Sequence, residues 1–274
     1  AYQAIDEDAT LILTLSASDV DGDALTFSAS SADADVVVDG TTLTVTPVPD
    51  FNGTVSVDVT VTDGSASDST SFTLTVNPVN DTPVLDALSD ADTDEDTDFV
   101  LTLSASDVDG DDLTYFAQVD GNGSVLVDGT TLTVSPATDY NGSIAVSVTV
   151  SDGQVSDSGS FSLTVNPVND APVIASIADQ SIDEDTSLVL DLAAADVDGD
   201  TLTFSATNGN AIITIDGTTL TVTPEENYFG SSDIFVTVTD GSSSDSTSFT
   251  LTVNPVNDAP VLFSINDLVF NEDE

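Results

Sequence analysis

The sequence contains no lysine, no arginine and no histidine, and it also lacks cysteine, methionine and tryptophan. Fifty Asp and Glu therefore stand alone, giving a formal net charge of −50 over 274 residues. An ordinary soluble chain of this length carries about thirty Lys and Arg. Without them the surface has no electrostatic footing for DNA, RNA or an anionic membrane. The missing cysteines exclude disulfides and thiolate metal sites, and without His as well, zinc and copper lose their usual ligands. No Lys means no Lys–Asn cross-link and no site for trypsin. General-base and nucleophilic catalysis lack their common side chains. Paired carboxylates can cleave glycosides, but no Trp is present to serve as a sugar platform, so no enzymatic activity is expected. No apolar run approaches the length of a membrane span. No signal peptide is visible and residue 1 is Ala, so the chain reads as a segment of something longer.

What is present is a chain built to fold. Hydrophobic residues make up 39% of it, which is unlike a disordered acidic tail. Self-repulsion on this scale opposes compaction, so the composition points to an external cation. The placement of the acids indicates which one. Asp-Val-Asp-Gly-Asp begins at Asp19, Asp107 and Asp196, and Asn-Pro-Val-Asn-Asp begins at Asn77, Asn166 and Asn254. An acidic triplet centred on Glu7, Glu95 and Glu184 returns as Asn271-Glu272-Asp273. Each spacing is 88 or 89 residues, the mark of tandem repeats. The reading is three domains, 1–79 (first strand incomplete), 80–168 and 169–256, followed by the first strand of a fourth, 257–274.

Within each repeat the hydrophobic period is two, which predicts strands. Leu11, Leu13 and Leu15 alternate with Thr and Ser, Val55 to Val61 form a longer alternating run, and Phe72, Leu74 and Val76 close the repeat. Thr and Val suit a half-buried pleated surface. About seven short strands in about 90 residues predict an all-β fold of immunoglobulin-like sandwiches in a linear rod. Asp39-Gly40, Asp128-Gly129 and Asp216-Gly217 read as type I′ hairpin turns, their Asp as turn formers. Phe51, Tyr140 and Tyr228 precede the Val-rich strand, where a core anchor is preferred to a hydroxyl-bonded corner. Paired prolines (Pro78/Pro83, Pro167/Pro172, Pro255/Pro260) predict short, stiff linkers.

On antiparallel connections the Glu-centred triplet lies at the bottom of a repeat. Asp-Val-Asp-Gly-Asp and the later Asp-Gly lie at the top of the next. The first junction then gathers Glu7, Asn80, Asp81, Asp107, Asp109 and Asp152, with Asp50 as a weaker candidate. The second gathers Glu95, Asn169, Asp170, Asp196, Asp198 and Asp240, with Asp139 in the same minor role. The outer copies are Asp19, Asp21 and Asp63 at one end and Glu184, Asn257 and Asp258 at the other. Close carboxylates repel and resist ionisation, and two or three divalent cations per junction would neutralise them. An all-oxygen donor set of this kind describes Ca2+ better than Mg2+.

These residues resemble a cadherin domain, in the bacterial form found in tandem in large surface proteins and adhesins. Glu95 matches the Glu that closes the family's first strand, and Asp107 and Asp109 match its Asp-x-Asp. Asp152-Gly153 matches its late Asp-Gly, and Asn-Pro-Val-Asn-Asp-Ala-Pro matches its Asp-x-Asn-Asp-Asn-x-Pro linker. The resemblance covers all three repeats and implies Ca2+ bound between consecutive domains, with Asn169 and Asp170 as linker ligands. The linker's leading Asp is Asn here (Asn77, Asn166), and the family's Leu-Asp-Arg-Glu is absent, leaving Asp50, Asp139 and Asn227. Those departures bear on the third cation of each junction. The lack of Trp excludes the strand exchange by which animal cadherins adhere.

The expected role is a Ca2+-rigidified structural spacer or fibre-forming region of an extracellular, cell-surface protein, its partners being neighbouring repeats of the same chain or fibre. No nucleic acid and no membrane insertion are expected, and carbohydrate or cell-surface ligands fall to other domains. Two alternatives stand beside it: an adhesive module, lectin-like or homophilic, and an extracellular filament subunit assembled by donor strands. An EF-hand fits poorly, because Gly falls at position four of the acidic motif and not six. Salt adaptation would spread acids over strand faces and use more Glu than the seven found here.

Overall fold

The structure, a computed structural model, describes residues 3–209 and 211–264. Alternation of apolar residues with Thr and Ser makes strands throughout, and the described residues form strands and turns with no helix. The chain divides into two compact units, Ala1–Asn166 and Pro167–Glu274.

The first unit holds two sandwiches. The first is built from β1 (Gln3–Asp6), β2 (Leu11–Thr14), β3 (Thr26–Ser30), β4 (Ala34–Asp39), β5 (Thr42–Pro47), β6 (Gly53–Thr62) and β7 (Ser67–Asn77). Sheet β1-β7-β6-β3 packs on sheet β2-β5-β4. The second sandwich is built from β8 (Val84–Leu85), β9 (Ala91–Asp94), β10 (Phe99–Thr102), β11 (Ala105–Ser106), β12 (Thr114–Val119), β13 (Gly123–Asp128), β14 (Thr131–Pro136), β15 (Gly142–Ser151) and β16 (Ser156–Asn166). Its sheets are β12-β15-β16-β9 and β10-β14-β13, with a short pair β8-β11. The second unit repeats this plan with β17 (Val173–Ile174), β18 (Gln180–Asp183), β19 (Leu188–Asp191), β20 (Ala194–Ala195), β21 (Thr203–Thr207), β22 (Ala211–Asp216), β23 (Thr219–Pro224), β24 (Gly230–Thr239) and β25 (Ser244–Asn254).

Each sandwich has its own core. In the second, Leu132 and Val134 of β14 face Ile144, Val146 and Val148 of β15 and Leu163 of β16, all fully buried. Each such side chain contributes about 1.5–3 kcal/mol by leaving water. The intervening Thr and Ser face outward, which is the period-two pattern of the sequence.

Two features differ from the sequence-based expectation. The first strand of a repeat is split: β8 pairs antiparallel with β11, after which the chain crosses and β9 runs parallel to β16. Leu88, between them, packs on the core and makes the crossing part of the sandwich. The hairpins β4–β5, β13–β14 and β22–β23 close through Gly40-Thr41, Gly129-Thr130 and Gly217-Thr218, with Asp39 opposite Thr42. Only the glycine of each loop takes positive φ, +58° or +59°. That is the requirement of type II′, with Gly first, and not of type I′. The Asp residues end the strands, as expected of turn formers.

Phe51, Tyr140 and Tyr228 do pack against their cores. Tyr140 also donates its hydroxyl to the Ser143 carbonyl at 2.9 Å, and its ring covers Gly142, which has φ +139°. Of the fourth repeat's first strand, residues 265–274, with the acidic triplet, lie outside the described residues.

Candidate metal centre

The parallel pairing of the first and last strands of a repeat sets the site. Because β1 runs beside β7, the backbone N–H of Glu7 donates to the Asn77 carbonyl at 2.9 Å, placing Glu7 at the linker. Glu7 is 6% exposed, and its Oε1 accepts the Val79 N–H. Asp81, two residues on, donates its N–H to Asp109 Oδ2 at 2.8 Å. One end of the second sandwich is thus tied through the linker to the first.

Seven carboxylates collect there. Glu7, Asp81 and Asp109 form one triple, Asp8, Asp50 and Asp81 a second, and Asp107, Asp109 and Asp111 a third. Within each triple one oxygen per residue lies within 4.8 Å of the others. Asp81 and Asp109 each belong to two triples, so the groups form one connected string. Glu7 Oε2, Asp81 Oδ2 and Asp107 Oδ2 are buried and lack a hydrogen-bond partner. A buried carboxylate oxygen left unpaired is costly, and the sequence has no side-chain cation to relieve it. The consequence shows in the acidities. Burial, then the charges of Asp50, Asp109, Asp8 and Glu7, push the Asp81 carboxyl up from its ordinary value. Burial and the charges of Asp107 and Asp109 do the same to Asp111.

Asp152 is placed differently. Its Oδ1 accepts the N–H groups of Gln154 and Val155 at 2.6 and 2.7 Å, and its Oδ2 accepts Asn80 Nδ2 at 2.7 Å. The Asn80 bond, then those backbone donors, holds its carboxyl below the ordinary range. Asn80 also donates to the Asp81 carbonyl at 2.8 Å. These two residues brace the linker against the β15–β16 turn.

Of the expected first-junction set, Glu7, Asp50, Asp81, Asp107 and Asp109 converge in the triples, with Asn80 and Asp152 beside them. Asp8 and Asp111 were not among the expected ligands. Their signal was present, since each is the last acid of a motif already noticed. Asp8 sits at φ +61° and Asp50 at φ +58°, a conformation that Asp tolerates better than most residues. The Asp50 N–H donates to Asp8 Oδ1 at 3.2 Å.

The remaining candidates fall on the equivalent ends. In the second sandwich Glu95 is 4% exposed with its N–H on the Asn166 carbonyl at 2.9 Å, and the Asp139 N–H donates to Asp96 at 3.2 Å. In the second unit Asp170 donates to Asp198 Oδ2 at 2.8 Å and Asn169 Nδ2 to Asp240 Oδ2 at 3.0 Å. Asp196 Oδ2 is buried without a hydrogen-bond partner. Glu184 takes the Val256 N–H, and Asn257 donates to the Asp258 carbonyl at 3.0 Å. On the first sandwich Asp19 accepts the Asp23 N–H at 3.2 Å, with Asp21 exposed in the same loop.

Asp63 accepts Ser65 and Ala66 N–H groups, both at 2.7 Å. These bonds, Ala66 first, lower its pKa. Its folded-state value is thus below the unfolded one, so its contribution is present above the unfolded value and lost as pH falls through the folded one. Asp63→Ala is expected to weaken the first sandwich near neutral pH and to match the unsubstituted chain in strong acid, as read by urea unfolding at each pH.

Comparison with known proteins bears on the family and the fold. A family described as bacterial Ig domain matches residues 1–77 and 169–254, and one described as cadherin-like domain matches residues 79–166. Among solved structures, mouse protocadherin-24 EC1-3 aligns at TM-score 0.50 and 16% identity, over 93% of this chain and 96% of that one. Drosophila N-cadherin EC1-4 aligns at TM-score 0.37 and 18% identity, over 88% and 69%. An endo-fucoidan hydrolase of glycoside hydrolase family 107 aligns at TM-score 0.32 and 20% identity, over 93% of this chain. This chain spans 43% of that enzyme's length. No curated protein matches by sequence. Cadherin-like and bacterial Ig domains are generally non-enzymatic and usually belong to extracellular or surface proteins. Cadherin-like domains typically bind Ca2+.

Proposed function

The chain belongs to the bacterial Ig domain family, and from that premise we propose that it is a Ca2+-stiffened, non-catalytic spacer of an extracellular surface protein. One observation carries the reading. Glu7, Asp81 and Asp107 come from three separate segments and each points a buried, unpartnered carboxylate oxygen into one acidic string. Only oxygen donors are present, several of them carboxylates, which suits a large flexible coordination shell better than the strict octahedron of Mg2+. Glu7, Asp8, Asp50, Asp81, Asp107, Asp109 and Asp111 would hold the ions. Bound there, Ca2+ supplies the positive charge that the polypeptide lacks and ties the β1–β2 turn, the linker and the β11–β12 loop together. In sequence the same residue types recur at Glu95, Asp170, Asp196 and Asp198.

Extracellular modules of this type bind Ca2+ with dissociation constants of about 10⁻⁴ to 10⁻³ M. Small-angle scattering of the chain under Ca2+ titration, with Mg2+ and chelator as controls, tests the reading. The expected result is a rise in maximum dimension and stiffness specific to Ca2+ in that range. A shape that follows ionic strength and ignores Ca2+ would sink the proposal and leave salt adaptation as the meaning of the acidity.

A further inference from the structure

Phe116 takes no part in the core of the second sandwich. It lies on β12, an edge strand of the four-stranded sheet, and is 60% exposed on the face turned away from the core. Strand pairing sets its neighbours. Thr149 of β15 stands directly opposite Phe116, and Ser147 stands opposite Gln118, two residues along. Alternation puts all four on one outer face, close enough to touch a common ligand. The side chains of Gln118, Ser147 and Thr149 make no hydrogen bond to the protein among the described residues. With Ala117 the four line a shallow hollow of 130 Å³. A pocket that engulfs a drug-sized molecule holds about 300–1,000 Å³, so this hollow suits one face of one small ring.

The charge of this face sets it apart from the rest of the chain. The outward positions of β12, β15 and β16 carry Ser, Thr, Ala, Gln and Phe116, with no acid, in a chain that has fifty. Asp120, just beyond β12, spends Oδ2 on the Ala145 N–H at 3.1 Å. The other two sandwiches break the pattern. Where the second has Phe116, Gln118 and Ser147, the first has Ser28, Ser30 and Asp58, and the third has Ser205, Thr207 and Phe235. In the third, Asp233 shares the face of Phe235 two residues away.

An exposed ring beside an amide and two hydroxyls offers an apolar plane and a rim of neutral donors and acceptors. A pyranose has the matching halves, C–H groups on one face and hydroxyls around its edge. An acidic saccharide would meet a net charge of −50 with no Lys or Arg to hold it. We propose that Phe116, Gln118, Ser147 and Thr149 form a shallow subsite for a neutral hexopyranose, one ring of a longer glycan stacked on Phe116. The Gln118 amide and the Ser147 and Thr149 hydroxyls take the sugar hydroxyls. Phe116 supplies the aromatic plane that the absence of Trp otherwise denies the chain. A single exposed ring contact implies a dissociation constant of about 1 mM or weaker. The subsite goes beyond the spacer reading and needs no Ca2+, since none of its four residues belongs to the acidic string.

NMR titration of the isotope-labelled 274-residue chain tests this, in Ca2+ and again in chelator. The probes are maltohexaose, cellohexaose, laminarihexaose and β-1,4-mannohexaose, each raised to about 10 mM, with hexagalacturonate as the acidic counterpart. The expected result is that at least one neutral hexasaccharide shifts the amides of 114–118, 147–149 and 158–160, saturably and alike in both conditions. Hexagalacturonate should leave them unmoved. Phe116→Ala, at an exposed position that leaves the sandwich folded, is expected to weaken binding about tenfold. Gln118→Ala should weaken it about threefold. The proposal is overturned if no neutral hexasaccharide moves those amides, if Phe116→Ala binds as tightly, or if hexagalacturonate binds there equally well. A failure of the spacer reading would appear in the scattering and leave these shifts in place.

Discussion

Asp81→Asn is expected to reduce Ca2+ affinity at the first junction about a hundredfold, the largest effect of any single substitution there. Asp81 is the carboxylate shared between the Glu7/Asp109 and Asp8/Asp50 groups. Its loss removes a ligand and a negative charge from two adjacent positions at once, and ligand charge count is what tunes such sites. Loss of outer-shell partners alone typically costs 10- to 100-fold in metal affinity, and a shared ligand belongs at the upper end, about 100-fold. Asp39→Asn is the matched control, since it deletes the same charge from an exposed hairpin end. Equilibrium dialysis with labelled Ca2+ reads both. Equal affinities in the two variants would remove Asp81 from the site. In chelator the two variants should reverse, because Asn relieves the burial cost and the carboxylate repulsion that raise the pKa of Asp81. Asp81→Asn should then be the more stable of the pair.

Leu132→Ala carries the second large effect, and it should be indifferent to Ca2+. Leu132 is fully buried on β14, the central strand between β10 and β13, against the opposite sheet. Truncation of a buried Leu costs about 2–5 kcal/mol through lost transfer energy and the cavity left behind. Three sandwiches in one chain do not unfold as a single two-state unit, so a global melting curve would blur the effect. Native-state hydrogen exchange resolves it. Amide protection across 99–165 is expected to fall by about 30-fold to several thousandfold. Protection in the first and third sandwiches should stay unchanged, with and without Ca2+. A loss spread over all three would show that the cores are coupled and not separate.

Much of this was legible because two simple periods dominate the chain. The alternation Val55, Val57, Val59 places β6 and its inward face directly, and the repeat spacing puts Glu7 opposite Asp109 once the strands alternate in direction. Three things escaped for definite physical reasons. The type II′ geometry of Gly40-Thr41 depends on one residue's φ, while Asp-Gly is compatible with either primed turn. The split of the first strand into β8 and β9 is a tertiary decision: Leu85 and Leu88 both pack inward on the core, beside Gly159 of β16. Asp8 and Asp111 are the last acids of motifs already assigned a ligand, and only backbone direction tells which acids of a cluster converge. Conversely, Asp152 matches a motif position, yet both its oxygens are taken up by backbone and Asn80 donors.

The parallel pairing of β1 with β7, β9 with β16 and β18 with β25 bears on how such a chain carries mechanical load. Each pair joins a strand near the start of a repeat to the strand that leaves it. Tension drawn through the chain pulls the first strand backward and the last forward, along the same axis. A parallel pair loaded this way is sheared, so its rungs, from Gln3–Leu74 to Asp6–Asn77 in the first sandwich, share the strain together. An antiparallel pair loaded from one end would instead peel apart rung by rung. A tether assembled from these sandwiches would therefore resist sudden pulling at every repeat, whatever holds the two ends.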